Sequence, residues 1–155
     1  MRRSICLVIL GGLLLAAPMV GADADEQAIR STISKAYENW GAMNPDANDP
    51  YYAADANAVW FDIAPMQYVG WTAYKDGVKR MFSGLEGVSL KIHDDLAVHR
   101  AGKTAWATFT WTAELRIKGG KVEHSEGRAT EILEKRKGKW VIVHEHASVP
   151  APSGP

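Results

Sequence analysis

Between Thr104 and Val149 the chain reads as three successive long strands, about Thr104 to Ile117, Val122 to Lys135 and Lys139 to Val149, in which apolar and polar residues alternate. They exceed the usual length of ~5–6 residues. Strands that long must twist and coil, so the sheet has to wrap around something, and a wrapped sheet makes a pocket. One face of the alternation is almost all apolar, yet it carries two carboxylates, Glu131 and Glu145.

The register of these strands can be argued from the turns. Arg136-Lys137-Gly138 suits a three-residue loop with glycine in the left-handed position, because a two-residue type I′ turn would force Lys137 to positive φ. This pairs Lys135 with Lys139, Leu133 with Val141, Glu131 with Val143, Ala129 with Glu145 and Gly127 with Ala147 on one face. Glu131 and Glu145 then become diagonal neighbours with Cα atoms ~7–8 Å apart. An odd-length connection near Lys118-Gly119-Gly120 adds Ala105, Ala107, Phe109, Trp111, Ala113 and Leu115 to that face. The opposite face receives Trp106, the threonines 108, 110, 112 and 130, His124, Arg128, Trp140, Ile142, His144, His146 and Ser148. Its mixture of polar and aromatic groups resembles an exposed or oligomer-facing surface more than a monomer core.

Ahead of the strands, Ile29, Ile33, Ala36, Tyr37 and Trp40 recur at helical spacing within Asp25 to Met43. Asp25 and Glu26 suit that helix's N-terminus, and Asn44-Pro45 ends it. Asp46 to Pro50 reads as a linker and Asp49 to Ala54 as a short second helix with proline at its first position. Ala58 to Ala64 and Gln67 to Gly70 are short strands. Thr72 caps a helix whose stripe is Ala73, Gly77, Val78, Met81 and Phe82, with Gly84 as its stop. Val88 to His99 is strand-like, with a bend or bulge at Asp94-Asp95.

With 155 residues, 46% hydrophobic and 23% charged, the chain fits one compact domain. Its 18 basic and 18 acidic residues cancel, so nothing suggests binding to nucleic acid or an anionic membrane. Arg2 and Arg3 precede an apolar run from Ile5 to Val20 that ends in Gly21-Ala22-Asp23-Ala24, the layout of a secretory signal peptide. Residues 1–24 are therefore expected to be removed, 25–150 to fold as a single domain and 151–155 to be a disordered tail. An uncleaved anchor is the alternative; after cleavage no membrane contact is expected. Cys6, the sole cysteine, would leave with the leader, taking thiol chemistry and disulfides with it. The expected location is the bacterial periplasm or the exterior.

The element order, with Trp60-Phe61-Asp62-Ile63-Ala64-Pro65 running into Gly70-Trp71-Thr72-Ala73-Tyr74, then Gly127-Arg128-Ala129-Thr130 and the run from Gly138 to Pro150, resembles the SnoaL-like branch of the nuclear transport factor 2-like superfamily. The last strand is also similar to the association domain of calcium/calmodulin-dependent kinases. The resemblance covers essentially the whole mature chain. It implies an α+β fold in which a strongly curved, mixed sheet wraps as a cone around the N-terminal helices, with a ligand cavity at the open end and frequent dimerisation through the outer sheet face. The kinase association domains carry cavity arginines at positions matching Trp111, Glu131 and Ala147; without them, anionic-ligand binding is not carried over. In the superfamily's steroid isomerases and polyketide cyclases an aspartate near the pocket is the general base, and Asp62 falls near the matching strand.

Two carboxylates among apolar side chains resist ionising together, and burial with like charge raises at least one pKa. Glu131, Glu145 and Asp62 are thus the candidate acid/base residues. Against that, the glutamates could simply accept hydrogen bonds in a structural network, and Asp62 could cap the turn before Pro65. Tyr37, Trp40, Tyr52, Trp60, Trp71 and Trp111 are the candidate ligand-lining aromatics, with core packing as the alternative. Trp106, Arg128, Trp140 and His146 are the candidate homodimer surface. His144-x-His146 has zinc-chelating spacing, but Arg128 opposite argues against a metal. With no phosphate loop, nucleophile elbow or dinucleotide fingerprint, the expectation is a cofactor-free domain for a small apolar organic ligand. It is either an isomerase, cyclase or dehydratase acting on a carbonyl compound, or a non-catalytic dimerisation or carrier domain.

Overall fold

A computed structural model describes residues 20–151. The expected leader and tail lie outside this range except for residues 20–24 and 151. Helix α1 (Val20–Gly41) buries Ile29, Ile33, Ala36, Tyr37 and Trp40, the stripe expected from the spacing. Asp25 is not at its end but inside it, where its carboxylate accepts hydrogen bonds from Lys135 Nζ at 2.5 Å and Trp140 Nε1 at 3.1 Å.

The expected second helix at Asp49 to Ala54 is absent. A 3-10 turn forms earlier, at Pro45–Asn48, and Tyr52 instead bridges in parallel to Ile142. Buried Asn48 explains the difference: its amide bonds Ala36 O at 3.2 Å and Asn39 Nδ2 bonds its Oδ1 at 2.9 Å, tying the turn to α1 and freeing Tyr51 to Ala53 to extend along the sheet.

β1 (Val59–Phe61) and β2 (Tyr68–Val69) are shorter than their apolar runs. In α2 (Trp71–Phe82) the buried stripe is Trp71, Tyr74, Gly77, Val78 and Phe82. Ala73 is exposed and Met81 is 49% exposed, so the expected stripe was rotated by about one residue. Gly77 leaves the space that the Tyr68 ring fills.

The strand-like region after α2 divides into β3 (Leu85–Ile92) and β4 (Ala97–Ala101), both antiparallel to β5 (Thr104–Ile117). The break falls at the acidic pair, as expected. Asp95 turns back to accept the Thr110 N–H at 3.0 Å and its hydroxyl at 2.8 Å, substituting for the missing strand carbonyl. β5 pairs with β6 (Val122–Arg136) over a long ladder, and β6 with β7 (Lys139–Ser148). The sheet runs β2-β1-β7-β6-β5-β3, with β4 also on β5. It is mixed because β1 lies parallel to β7. The result is an α+β fold with a curved, unclosed sheet around the helices.

The β6–β7 hairpin departs from the expected register. Arg136 pairs with Lys139, leaving a two-residue turn in which Lys137 (φ 49°) and Gly138 (φ 82°) are both left-handed, the type I′ geometry. Lysine tolerates it because the flanking twist favours primed turns. Leu133 then pairs with Ile142 and Ile132 with His144, which leaves Val143 as the extra residue of a bulge. Trp140 and Ile142 therefore point inward before the bulge, and Glu145 and Ala147 after it. Placing Trp140 and Ile142 on the outer face, and Val141 and Val143 inside, was incorrect for this reason.

Candidate active site

The bulge brings Glu131 directly opposite Glu145, rather than diagonal to it. Directly opposed residues have Cβ atoms ~4.5–5.5 Å apart. Both side chains are buried, Glu131 completely. Around them stand three tyrosines from three parts of the chain. Tyr74 on α2 donates its hydroxyl to Glu145 Oε1 at 2.5 Å, and Tyr52, on the segment beside β7, donates to Glu145 Oε2 at 2.7 Å. Tyr37 on α1 reaches Glu131 Oε1 at 3.5 Å. Trp40 Nε1 in turn donates to the Tyr52 hydroxyl at 3.0 Å. Tyr52 stacks flat on Trp71 (centroids 4.5 Å apart, 9° between planes), and Trp60 lies on Tyr74 at 5.8 Å and 21°. These rings lock the hydroxyls in direction.

The electrostatics follow from this packing. Burial, then the neighbouring Glu145 charge, pushes the Glu131 carboxyl well above its ordinary value. Burial also raises Glu145, to about 7; the Tyr74 hydrogen bond opposes this, and the charge of Asp62 adds to it. Glu131 Oε2 has no hydrogen-bond partner as an ionised oxygen. A proton on Glu131, donated to Glu145, satisfies both groups. Near neutral pH Glu131 therefore keeps its proton while Glu145 titrates. All three tyrosines are pushed well above 10 by burial and the nearby carboxylates, so they remain donors.

A cavity of about 590 Å³ opens beside the pair. Its walls are mainly apolar, from α1, α2, β3 and β5, while the start of β6 adds Glu123, His124 and Ser125. Of the sequence-chosen residues, Tyr37, Trp40, Asp62, Trp111 and Glu145 line it. Tyr52, Trp60 and Trp71 are buried in the aromatic layer rather than on the lining, and Glu131 lies behind Glu145. Asp62 sits at the edge, where burial raises its carboxyl while the Ile63 N–H at 2.7 Å opposes the rise. Trp111 lies across Gly127, whose missing Cβ leaves room for the indole.

Tyr74 was not among the residues chosen from sequence. It shares a stripe with Trp71, Val78 and Phe82, spaced by three and four residues, and that period would have found it.

On the other side of the sheet Trp106 (44% exposed), Arg128 and His146 face outward as expected. Trp140 does not: it is buried, with its Nε1 held by Asp25, and cannot belong to an outer surface. His144 Nδ1 lies 2.7 Å from the Val59 carbonyl, and Phe61 packs edge-on against both His144 and His146. Among the described residues no cluster of three or more His, Cys, Asp or Glu side chains is placed to hold a metal ion, and no helix is long and apolar enough to cross a membrane.

An open curved sheet closed by helices over one apolar cavity defines the nuclear transport factor 2-like class of fold. The chain belongs to the SnoaL-like domain family, whose model matches residues 29–152. It is similar in structure to a nuclear transport factor 2-like superfamily protein of Salmonella enterica serovar Typhimurium (21% identity, 86% of this chain and 96% of that one, TM-score 0.79). It is also similar to two proteins of Novosphingobium aromaticivorans, one provisionally named a scytalone dehydratase (12% identity, 86% and 89% covered, TM-score 0.75) and one provisionally named an aromatic ring hydroxylase (16% identity, 84% and 92% covered, TM-score 0.74). At these identities the likeness concerns the fold. No curated protein matches the chain.

The raised carboxyls set the pH dependence of stability. A carboxyl whose folded pKa exceeds its unfolded value adds stability that is complete below the unfolded pKa and lost as pH rises through the folded one. For Glu145, moving from 4.5 to about 7, this amounts to on the order of 3 kcal/mol. In urea unfolding between about pH 5 and pH 8 the wild type should lose stability, and Glu131→Gln, which removes one titrating member and the repulsion, should lose distinctly less. Equal slopes for the two proteins would reject the buried, proton-sharing pair.

Proposed function

We propose that this protein is an exported domain that binds a small, largely apolar carbonyl compound and moves a proton on it without metal or cofactor, as in isomerisation, cyclisation or dehydration. The observation that carries this is Glu145: a carboxyl raised to about 7, held in direction by two tyrosine hydroxyls, at the wall of an aromatic cavity. A base titrating near neutrality balances availability against strength at working pH. The cavity's apolar walls select a lipophilic ligand, and its sparse hydroxyl donors suit a carbonyl oxygen. Asp62, at the cavity edge with its own raised carboxyl, is the second acid/base candidate. Neighbours of the same fold named for dehydratase and hydroxylase chemistry are compatible with this class of substrate.

One observation favours a second reading. Both oxygens of Glu145 already accept hydrogen bonds, as in a structural network, and a domain in which that network never opens would serve as a ligand carrier. In either case the outer face of Trp106, Arg128 and His146 is the proposed homodimer surface, as the likeness to the kinase association domain suggests. The apolar leader supports export, with cleavage after Ala24 making Asp25 the first residue. The side chain of Asp25 is already tied to Lys135 and Trp140, so the mature end would be pinned to the sheet.

A panel of lipophilic ketones and aldehydes separates the two readings. A ligand at 100 times its Kd stabilises by about 2.7 kcal/mol, roughly 5–10 °C in Tm for a domain of this size. Glu145→Gln should keep that shift while lowering turnover by roughly 10²–10⁴-fold, and wild-type kcat/KM should rise as pH passes about 7 and Glu145 ionises. Binding without turnover in the wild type would leave the carrier reading; no shift across the panel would exclude both. Trp106→Ala combined with Arg128→Asp should give monomers in sedimentation, and an unchanged sedimentation coefficient would reject the surface. Intact mass of the secreted product should place its first residue at Asp25; a full-length mass would reject cleavage.

A further inference from the structure

Glu131 is buried, unreachable from the cavity and unused by a mechanism that needs only Glu145. Yet it faces Glu145 across the β6–β7 ladder, and on its other side stands the hydroxyl of Tyr37, which lines the same cavity as Glu145. The order Tyr37, Glu131, Glu145 is therefore a chain of three exchangeable protons' carriers whose two ends open on one cavity and whose middle is sealed from it. Ala107, opposite Glu131 on β5, and the rings of Phe109 and Tyr37, packed edge to face at 5.0 Å, keep other polar groups away from the middle. Glu131 itself has no exposed surface.

We propose that Tyr37, Glu131 and Glu145 form an internal proton relay that takes a proton from one atom of a bound carbonyl compound and returns one to another atom of the same molecule. This rests on the reading of the cavity as a carbonyl-binding acid/base site. The ligand class is a ketone or aldehyde with a hydrogen on the carbon beside its carbonyl. The Glu145 carboxylate takes that hydrogen as a proton. The C–H electron pair becomes the carbon–carbon double bond, and the carbonyl π pair becomes an O–H bond as Tyr37 gives its proton to the oxygen. Glu131 refills Tyr37, and transfer of one proton from Glu145 to Glu131 restores the starting pair. Ketone and enol are isomers, so the step is redox-neutral and consumes no co-reactant. The 3.5 Å separation between Tyr37 and Glu131 is loose for this transfer; such contacts tighten when ligand binds. Tyr74 and Tyr52 are positioning residues that aim Glu145, and Asp62, Tyr74 and Tyr52 are the other titratable groups facing it.

The test is carboxyl NMR of the full protein labelled with ¹³C at glutamate, titrated across neutral pH with and without cyclohexanone, in wild type, Tyr37→Phe and Glu131→Gln. A relay requires the Glu131 and Glu145 signals to report the same two transitions, as coupled groups do. Cyclohexanone should then move both signals in wild type, and Tyr37→Phe, which leaves Glu131 linked to the ketone through Glu145 alone, should shrink the Glu131 response while keeping that of Glu145. Glu131→Gln should keep the ketone response at Glu145 and reduce the titration to one transition. Independent transitions, or an unchanged Glu131 response in Tyr37→Phe, would overturn the relay while leaving ligand binding intact. If neither carboxyl nor the Tm of wild type responds to the ketone panel, the cavity reading fails and the relay with it.

Discussion

The extra residue at Val143 is the constraint on which the site depends. Side chains on a strand alternate with period two, so in an unbroken β7 the inward placement of Trp140 and Ile142 would turn Glu145 and Ala147 outward. One unpaired residue reverses the phase midway. The near half of β7 can then pack its large apolar groups against α1, while the far half delivers a carboxylate to the cavity. The same shift places Glu145 directly across from Glu131, and burial together with that opposition raises the Glu131 carboxyl well above its ordinary value.

Holding two carboxyls in a dry interior is unfavourable, and the surrounding structure shows what offsets it. Three tyrosines arrive from α1, α2 and the segment beside β7, so every element that closes the sheet supplies a donor to the pair. The hydroxyls are fixed by a continuous layer of rings, with Trp71 against Tyr52 and Trp60 against Tyr74. Opposed aromatic contacts of this kind add about 0.5–1.5 kcal/mol each beyond burial. Packing energy thereby maintains the geometry of groups that would otherwise prefer water. This couples stability to protonation, and protonation to whatever occupies the cavity.

The two faces of the sheet have separate work. The inner face carries small residues where large ones must approach: Ala107 opposite Glu131, and Gly127 beneath Trp111. The outer face keeps a band of threonines with Arg128 and His146 around a shallow groove, while His144 and Phe61 close the join between β7 and β1. The chemistry proposed for the cavity and the assembly proposed for the outer surface therefore involve different side chains and can be tested separately.

Alternation and helical spacing alone determined the long strands, the inward face of β5 and β6 with Glu131 on it, the buried stripe of α1 and the break at Asp94-Asp95. Each of these follows from a local period that burial reads directly. Asp62, Tyr37, Trp40 and Trp111 reached the cavity lining from the same kind of reasoning and the family resemblance. The register beyond the β6–β7 turn was not determined, because it depends on whether Lys137 accepts a left-handed backbone and on where a bulge absorbs the extra residue. Those choices are set by the packing of Trp140 and Ile142 under α1 and not by any neighbour in sequence. Tertiary structure alone decided that Trp140 is core, that Glu145 meets Glu131 head-on, and that Tyr52 and Tyr74, 22 residues apart in the numbering, converge on one carboxylate.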